Sequence, residues 1–130
     1  MRRRRGSTLI ESALAFSSFA ILLAGIMELG FAGFASDAVT FAAQRAARFA
    51  SVRGSASGHA ATTADIQSTA RQYAAPLAPA SLTVNVSWSP NNNPGSTVTV
   101  TVSCSFRPSL LPLSAVPLNL QSRAAALIIQ

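Results

Sequence analysis

The sequence has little charge and few of the side chains on which catalysis and metal binding usually depend. Its 130 residues include one cysteine, one histidine and four acidic residues, and all ten basic residues are arginine. A single cysteine excludes an intrachain disulfide. There is no Ser/His/Asp set, no metal-ligand spacing and no phosphate-binding glycine loop. We therefore expect no enzyme activity, no cofactor or metal site and no small-molecule substrate.

The positive charge is concentrated at one end of the chain. Arg2 to Arg5 contribute four of the formal net charge of +6, which leaves +2 for everything after them. The other arginines are scattered and are not interleaved with aromatic residues. A nucleic-acid-binding surface needs a basic face, so we expect no nucleic-acid partner.

The single cysteine and the single histidine both have ordinary structural explanations. Cys104 lies in an alternating, strand-like run, where we expect it to be buried as a small apolar side chain. An intersubunit disulfide is the alternative. His59 lies in a Gly/Ser/Ala stretch with no cysteine or carboxylate at metal-ligand spacing, so we expect a solvated loop residue.

A long apolar run follows the arginines. Glu28 is the only charged residue in positions 12–35, and about 20 mostly apolar residues are enough for a helix to cross a bilayer. We therefore predict a basic leader over residues 1–6 and a transmembrane helix over residues 7–35. Arginines are retained in the cytoplasm, so the N-terminus is expected there and the C-terminal part outside the membrane.

Two carboxylates lie at opposite ends of the predicted span. Glu11 lies where the hydrocarbon should begin, and Glu28 lies about 25 Å further along the helix axis. Glu28 is expected either to extend to the outer interface or to make a polar contact between packed subunits. Gly25, Gly30 and Gly33 surround it, and small residues let helices approach closely in lipid. These four residues are our candidates for helix packing.

Beyond the membrane, we predict that the helix continues through residues 36–53. Phe34, Phe41 and Phe49 recur on one side at helical spacing, and this side is expected to pack on a soluble domain. Arg45 and Arg48 flank it, and their stems are expected to cover apolar surface while their guanidinium groups stay in water.

Residues 54–130 are predicted to form a small extracytoplasmic α+β domain. Thr62 and Asp65 have the spacing of a helix start, and Pro76 and Pro79 are expected to end that short helix. Apolar and hydroxyl side chains then alternate over residues 82–89 and 97–106, and less regularly over 118–129, which predicts strands. The fold class is α+β: a long transmembrane helix, a short helix and a three-stranded antiparallel sheet.

Three segments together resemble the TadE-like family, the minor pseudopilins of the tight adherence (Flp) pilus system of bacteria. They are Arg5-Gly-Ser-Thr-Leu-Ile-Glu11, then Gly25-Ile-Met-Glu28-Leu-Gly30, and then Ala42-Ala-Gln-Arg45-Ala-Ala-Arg48-Phe49-Ala. The family implies cleavage by a prepilin peptidase between Gly6 and Ser7. It also implies that Glu11 serves processing or pairs with the N-terminal amine of a neighbouring subunit. The family usually carries an aromatic residue after this glutamate, where this chain has Ser12.

The resemblance therefore implies a membrane-anchored minor pseudopilin, processed after Gly6, that helps to assemble a tight adherence pilus or a related secretion apparatus. Its expected location is the bacterial inner membrane. Its expected partners are the membrane, the prepilin peptidase, and other pilins, pseudopilins and assembly proteins. The alternative is an unprocessed single-span adaptor whose outer domain binds an envelope partner.

Overall fold

The fold consists of one very long helix, one short helix and one sheet. The computed structural model describes residues 4–75, 77, 81–108 and 117–129. In chain order its elements are α1 (Arg4–Ser51), α2 (Thr63–Tyr73), β1 (Leu82–Ser89), β2 (Thr97–Phe106) and β3 (Leu118–Leu127). The predicted α+β fold is confirmed, with the helix continuing through both its membrane and its outer part. The predicted boundaries at residues 6 and 35 fall inside α1, and they stay predictions.

The short helix begins as its sequence predicts. The backbone N–H of Asp65 donates to Thr62 Oγ1, at 3.2 Å, and the Thr62 N–H donates back to Asp65 Oδ2, at 3.0 Å. This reciprocal pair satisfies amide groups that have no partner inside the helix. The pair also holds the pKa of Asp65 below its usual value of 3.8, chiefly through the backbone N–H of Thr62 and then through its hydroxyl. Pro76 and Pro79, predicted to end α2, lie outside the described residues.

The sheet is antiparallel with β2 at its centre. β1 pairs with β2 from Leu82 opposite Cys104 to Ser89 opposite Thr97, and β3 pairs on the other side of β2. A short loop joins β1 to β2; it begins at a cis peptide bond before Pro90 and ends at Gly95, whose φ is +87°. That conformation is disfavoured for residues with a Cβ, which accounts for glycine there.

The core lies between one side of α1, the inner side of α2 and the inner face of the sheet. The sheet contributes β-branched residues, and α1 contributes mostly alanines. The buried residues of α1 are Ala35, Val39, Ala42, Ala43, Ala46, Ala47 and Ala50. Alanine side chains let a helix lie close to a sheet, so the larger valines of β2 fill the remaining space.

This arrangement corrects the side of α1 that the sequence predicted to be packed. Phe34 and Phe41 are 49% and 45% exposed, whereas Ala46 and Ala47, on the opposite side, are 0% and 2% exposed. Phenylalanine is more hydrophobic than alanine, so the hydrophobic pattern pointed to the wrong side of the helix. Of the three phenylalanines predicted to pack, Phe49 does pack against the core.

Backbone hydrogen bonds join the end of α1 to the far end of the sheet. The Ile129 N–H donates to the Ser51 carbonyl, at 2.9 Å, and the Ile128 N–H donates to the Ser96 carbonyl, at 2.8 Å. Ile128 itself is 1% exposed. The C-terminal strand is therefore fixed both to the last turn of α1 and to the start of β2, which sets the position of the helix against the sheet.

Candidate functional site

The N-terminal part of α1 has no protein packed around it. Every residue from 6 to 23 is exposed, including large side chains such as Leu14, Phe16 and Ile21. Eighteen helical residues extend about 27 Å, close to the thickness of a bilayer's hydrocarbon core. Within the described part of the chain, this is the one helix long and apolar enough to cross a membrane. Exposed leucines and phenylalanines in such number are expected where lipid covers the helix.

Hydroxyl groups inside this stretch are satisfied by the helix itself. Ser12 Oγ donates to the Thr8 carbonyl, at 2.8 Å, and Ser17 and Ser18 make the same contact with the carbonyl four residues earlier. A hydroxyl left without a partner in hydrocarbon would be costly, and this local bond removes that cost. Ser12, which stands where the TadE-like family usually has an aromatic residue, is therefore compatible with a lipid environment.

The predicted processing residues lie on the first turns of α1. Gly6 and Ser7 are exposed, and a Cβ built on Gly6 would meet no atom within 4 Å. Glycine at this position is therefore not required by packing within the chain. Glycine weakens a helix by about 1 kcal/mol relative to alanine, so Gly6 lowers the intrinsic stability of this part of α1. Glu11 is also exposed, just over one helical turn after Ser7.

Glu28 lies where the outer domain begins to cover the helix. Only 9% of the residue is exposed. It lines an apolar groove of about 290 Å³ together with Gly25, Leu29, Ala32, Phe106, Pro108 and Leu118. The ring of Phe31 stacks on Phe106 with 5.8 Å between centroids, which fixes the end of the sheet against this part of α1. The domain's contact with α1 thus starts within the predicted span, and it shields Glu28 from the surroundings.

The four helix-packing candidates therefore do not form one surface. Gly25 and Glu28 face the chain's own sheet, whereas Gly30 and Gly33 are exposed on the other side of α1. A Cβ built on Gly30 or Gly33 would meet no atom within 4 Å. Contact between subunits stays a prediction for these residues, and the structure divides them into an inner pair and an outer pair.

Sequence analysis missed a set of exposed aromatic residues on the outer half of α1. Phe41 meets Tyr73 of α2 edge-on, with 5.7 Å between ring centroids. The Arg45 guanidinium lies over both rings, 4.9 Å from Phe41 and 5.7 Å from Tyr73. The arginine head thus lies over the rings while the residue stays exposed, which is compatible with the predicted solvated head. The available signal was the run of alanines on the opposite side of the helix.

The remaining titratable and thiol groups lie apart from one another. Cys104 is buried, 3.4 Å from the Ser81 hydroxyl, as the prediction of a buried strand residue required. His59 is exposed in the loop after α1. Among the described residues, no three of the His, Cys, Asp and Glu side chains lie close enough together to hold a metal ion.

A comparison with known families bears on the same part of the chain. A family model described as TadE-like protein matches residues 6–48, about a third of the sequence. Over these residues the chain is similar to that family. This confirms the resemblance drawn from the Gly6–Glu11, Gly25–Gly30 and Ala42–Arg48 segments. No curated protein and no solved structure matches the chain significantly. The matched segment covers most of the candidate membrane helix, Gly6–Ser51, and together they fit a membrane protein associated with a tight adherence pilus.

Proposed function

We propose that this protein is a membrane-anchored minor pseudopilin that helps to assemble a tight adherence pilus or a related secretion apparatus. The observation that carries the proposal is the division of α1 into two parts. Residues 6–23 are bare and apolar, and the remainder is covered on one side by an α+β domain. Both parts overlap the TadE-like match. In this role the protein acts by contact with other proteins and has no catalytic activity of its own.

The charges of the chain support one orientation in the membrane. Four arginines precede the bare helix, and arginine-rich ends are retained in the cytoplasm. The outer domain would then lie in the periplasm or at the cell surface, with the helix in the bacterial inner membrane. A single cysteine without a disulfide partner in the chain is compatible with either side, so the arginines are the deciding feature.

The proposal includes cleavage of the Gly6–Ser7 bond by a prepilin peptidase. In a membrane-embedded substrate, this bond would lie at the cytoplasmic interface, where the enzyme can reach it. Hydrolysis removes four arginines and creates a new amine at Ser7. Glu11 is exposed one turn away and would pair with such an amine on a neighbouring subunit. A carboxylate at the edge of the hydrocarbon is costly without a partner, which gives this pairing its physical reason.

The test of processing is the intact mass of the membrane-extracted protein. The wild-type chain and Gly6→Leu are each produced with an active prepilin peptidase and with a catalytically inactive one. The expected result is loss of residues 1–6 only for the wild-type chain with active peptidase. Gly30→Leu is the matched control, because it makes the same change at an exposed glycine far from the bond and should leave cleavage unchanged.

A full-length mass in every case, in cells that process another prepilin, would overturn the cleavage step. The unprocessed single-span adaptor would then be the better account. The assembly role is tested separately by counting surface pili in cells that lack this protein. Normal pili in its absence would refute an assembly role even if cleavage occurs.

A further inference from the structure

One edge of the sheet is left open by the rest of the fold. β3 pairs with β2 over Leu118–Leu127, and within the described part of the chain no further strand lies on its other side. On that side, none of the described residues makes a hydrogen bond to the backbone of β3. A strand of ten residues with unpaired amide and carbonyl groups is a template on which another extended segment can pair.

The opposite edge of the sheet is protected. α2 lies beside β1, and Gln67 Nε2 donates to the backbone carbonyl of Val84, at 3.1 Å. Proteins commonly cover a sheet edge in this way, or interrupt it with proline or several charges, to prevent unwanted pairing. β3 has none of this protection except one charged residue, Arg123. The two edges therefore differ in a way that favours binding at β3.

The inner face of β3 is only partly covered by α1. Val98 and Val100 of β2 are fully buried, whereas their partners on β3, Ala126 and Ala124, are half-buried. A groove of about 370 Å³ lies beside them, lined by Phe41, Gln44, Arg45 and Arg48 of α1 and by Ala124 to Ala126. A fourth strand beside β3 would place every second side chain in this groove, because successive side chains point to opposite faces of a sheet.

Two arginines give this groove a positive charge. Arg45 and Arg48 are exposed, and among the described residues no carboxylate pairs with either guanidinium. The two positions lie about 4.5 Å apart along the helix axis. Side chains on one face of a strand are spaced by about 6.6 Å, that is, by two residues. Two carboxylates separated by one residue in an added strand are therefore spaced to meet these two long side chains.

A second copy of this chain does not contain such a segment. The sequence has four acidic residues, and all of them lie in helices. They are Glu11, Glu28 and Asp37 in α1 and Asp65 in α2. The partner that matches the charge of the groove is therefore a different protein.

The direction of β3 also argues against a second copy. Leu118, at the start of β3, lies near Glu28, and the Ile129 N–H donates to the Ser51 carbonyl. β3 thus runs along α1 in the same direction, away from the bare membrane part. Antiparallel pairing of two β3 strands would point one of the two membrane helices away from the membrane, whereas every copy inserts in the same orientation.

We propose that the open edge of β3 binds an extended acidic segment of a different protein. The segment adds a fourth strand to the sheet and places two carboxylates, separated by one residue, against Arg45 and Arg48. Backbone hydrogen bonds supply the affinity and the charges select the segment, because exposed ion pairs alone add little. The inference rests on the proposed function only for the side of the membrane on which the partner lies, and it involves neither Gly6 nor Glu11.

The test is photo-cross-linking in the native membrane, with p-benzoylphenylalanine in place of Ala125. The Ala125 side chain points away from α1, so the probe can reach a neighbouring strand without filling the groove. The expected adduct contains a peptide of another protein with two acidic residues separated by one residue. Ser87 is the matched control position, because it lies on β1 in the same row of the sheet, with Thr99 between the two. The probe at Ser87 should give several-fold less of this adduct.

Charge variants test the role of the groove. Arg48→Glu should lower the yield of the Ala125 adduct several-fold, whereas Arg48→Lys should retain more of it because the charge is kept. Arg71→Glu is the matched control, because Arg71 is an exposed arginine in the last turn of α2 just as Arg48 is in the last turn of α1. It should leave the yield unchanged, and thermal unfolding of each variant checks that the domain is still folded.

Hydrogen exchange tests strand addition directly. A synthetic peptide with the sequence of the cross-linked segment is added to the purified full-length chain. It should slow the exchange of amides in residues 118–127, and the same peptide with both acidic residues replaced by lysine should not. Slowed exchange only in other parts of the chain would show that the contact is not made by strand addition.

Four outcomes of the cross-linking would overturn the proposal. Adducts only with a second copy would show a contact between identical chains, and adducts only with lipid or polysaccharide would show a different kind of surface. An adduct equally strong with Arg48→Glu would show that the groove does not select charge. No adduct above the Ser87 control would show that the edge is unoccupied. Cross-linking is scored on the full-length and the shortened chain without counting pili, so its failure is distinguishable from failure of cleavage or of assembly.

Discussion

Introducing the same carboxylate on opposite sides of α1 tests which side of the helix is packed. Ala46 is fully buried, whereas Phe41 is 45% exposed. In Ala46→Glu the new carboxyl must either lose its hydration or stay protonated. Keeping a glutamic acid of ordinary pKa protonated at pH 7 costs about 4 kcal/mol. Overpacking adds about 1–3 kcal/mol. The total approaches the whole stability of a small domain, so Ala46→Glu should retain only a small fraction of the wild-type stability.

Phe41→Glu should remain folded. The substitution loses a half-covered ring and its contact with Tyr73, which together contribute about 1–2 kcal/mol. The new carboxylate lies one turn before Arg45, where a pair on one helix returns about 0.3–0.5 kcal/mol. If the predicted aromatic side were the packed one, the order would be reversed, because removing a buried phenylalanine costs about 3–5 kcal/mol before any charge is counted.

The assay is urea unfolding of the full chain in detergent, followed by the fluorescence of Trp88, the only tryptophan. The free energy of unfolding should be lower for Ala46→Glu than for Phe41→Glu by at least about 3 kcal/mol. The difference should shrink as the pH falls towards the ordinary glutamate pKa of about 4.3, since a buried carboxyl then needs no further protonation. Equal stability of the two variants, or a less stable Phe41→Glu, would refute the packing described here.

Three further predictions concern the outer domain. Asp65→Asn should reduce the loss of stability in acid. The lowered pKa of Asp65 stabilises the fold above about pH 3.8, and that contribution disappears as the pH falls through the pKa of the folded state. The temperatures of thermal unfolding at neutral pH and at pH 3 should therefore differ less in the variant than in the wild type. Ile66→Ala should lower the free energy of unfolding by about 2–5 kcal/mol, because Ile66 is fully buried on α2; a urea titration that shows no change would place α2 away from the core. Cys104 should react with a maleimide only after denaturation, since it is 4% exposed; fast labelling of the folded chain would contradict its burial.

Elements with a local signal could be predicted from the sequence. The strict alternation over β1 and β2 indicates strands because successive side chains point to opposite faces of a sheet. The Thr62/Asp65 pair marks a helix start because both partners lie within one turn. β3 was less regular, with alanines on its inner side, yet its range of Leu118–Leu127 falls within the predicted run. In each case the residues that decide the structure are close together in the chain.

The side on which α1 packs could not be predicted in the same way. The residues of α1 that pack on the core are mostly alanines, which are only weakly hydrophobic. The more hydrophobic phenylalanines lie on the opposite side of the helix. The burial of Glu28 depends on Phe106 and Leu118, which lie 78 and 90 residues further along the chain and reach it only when the sheet has formed. For the same reason, the sequence could not show that Gly25 and Glu28 face the sheet whereas Gly30 and Gly33 lie on the opposite side of α1.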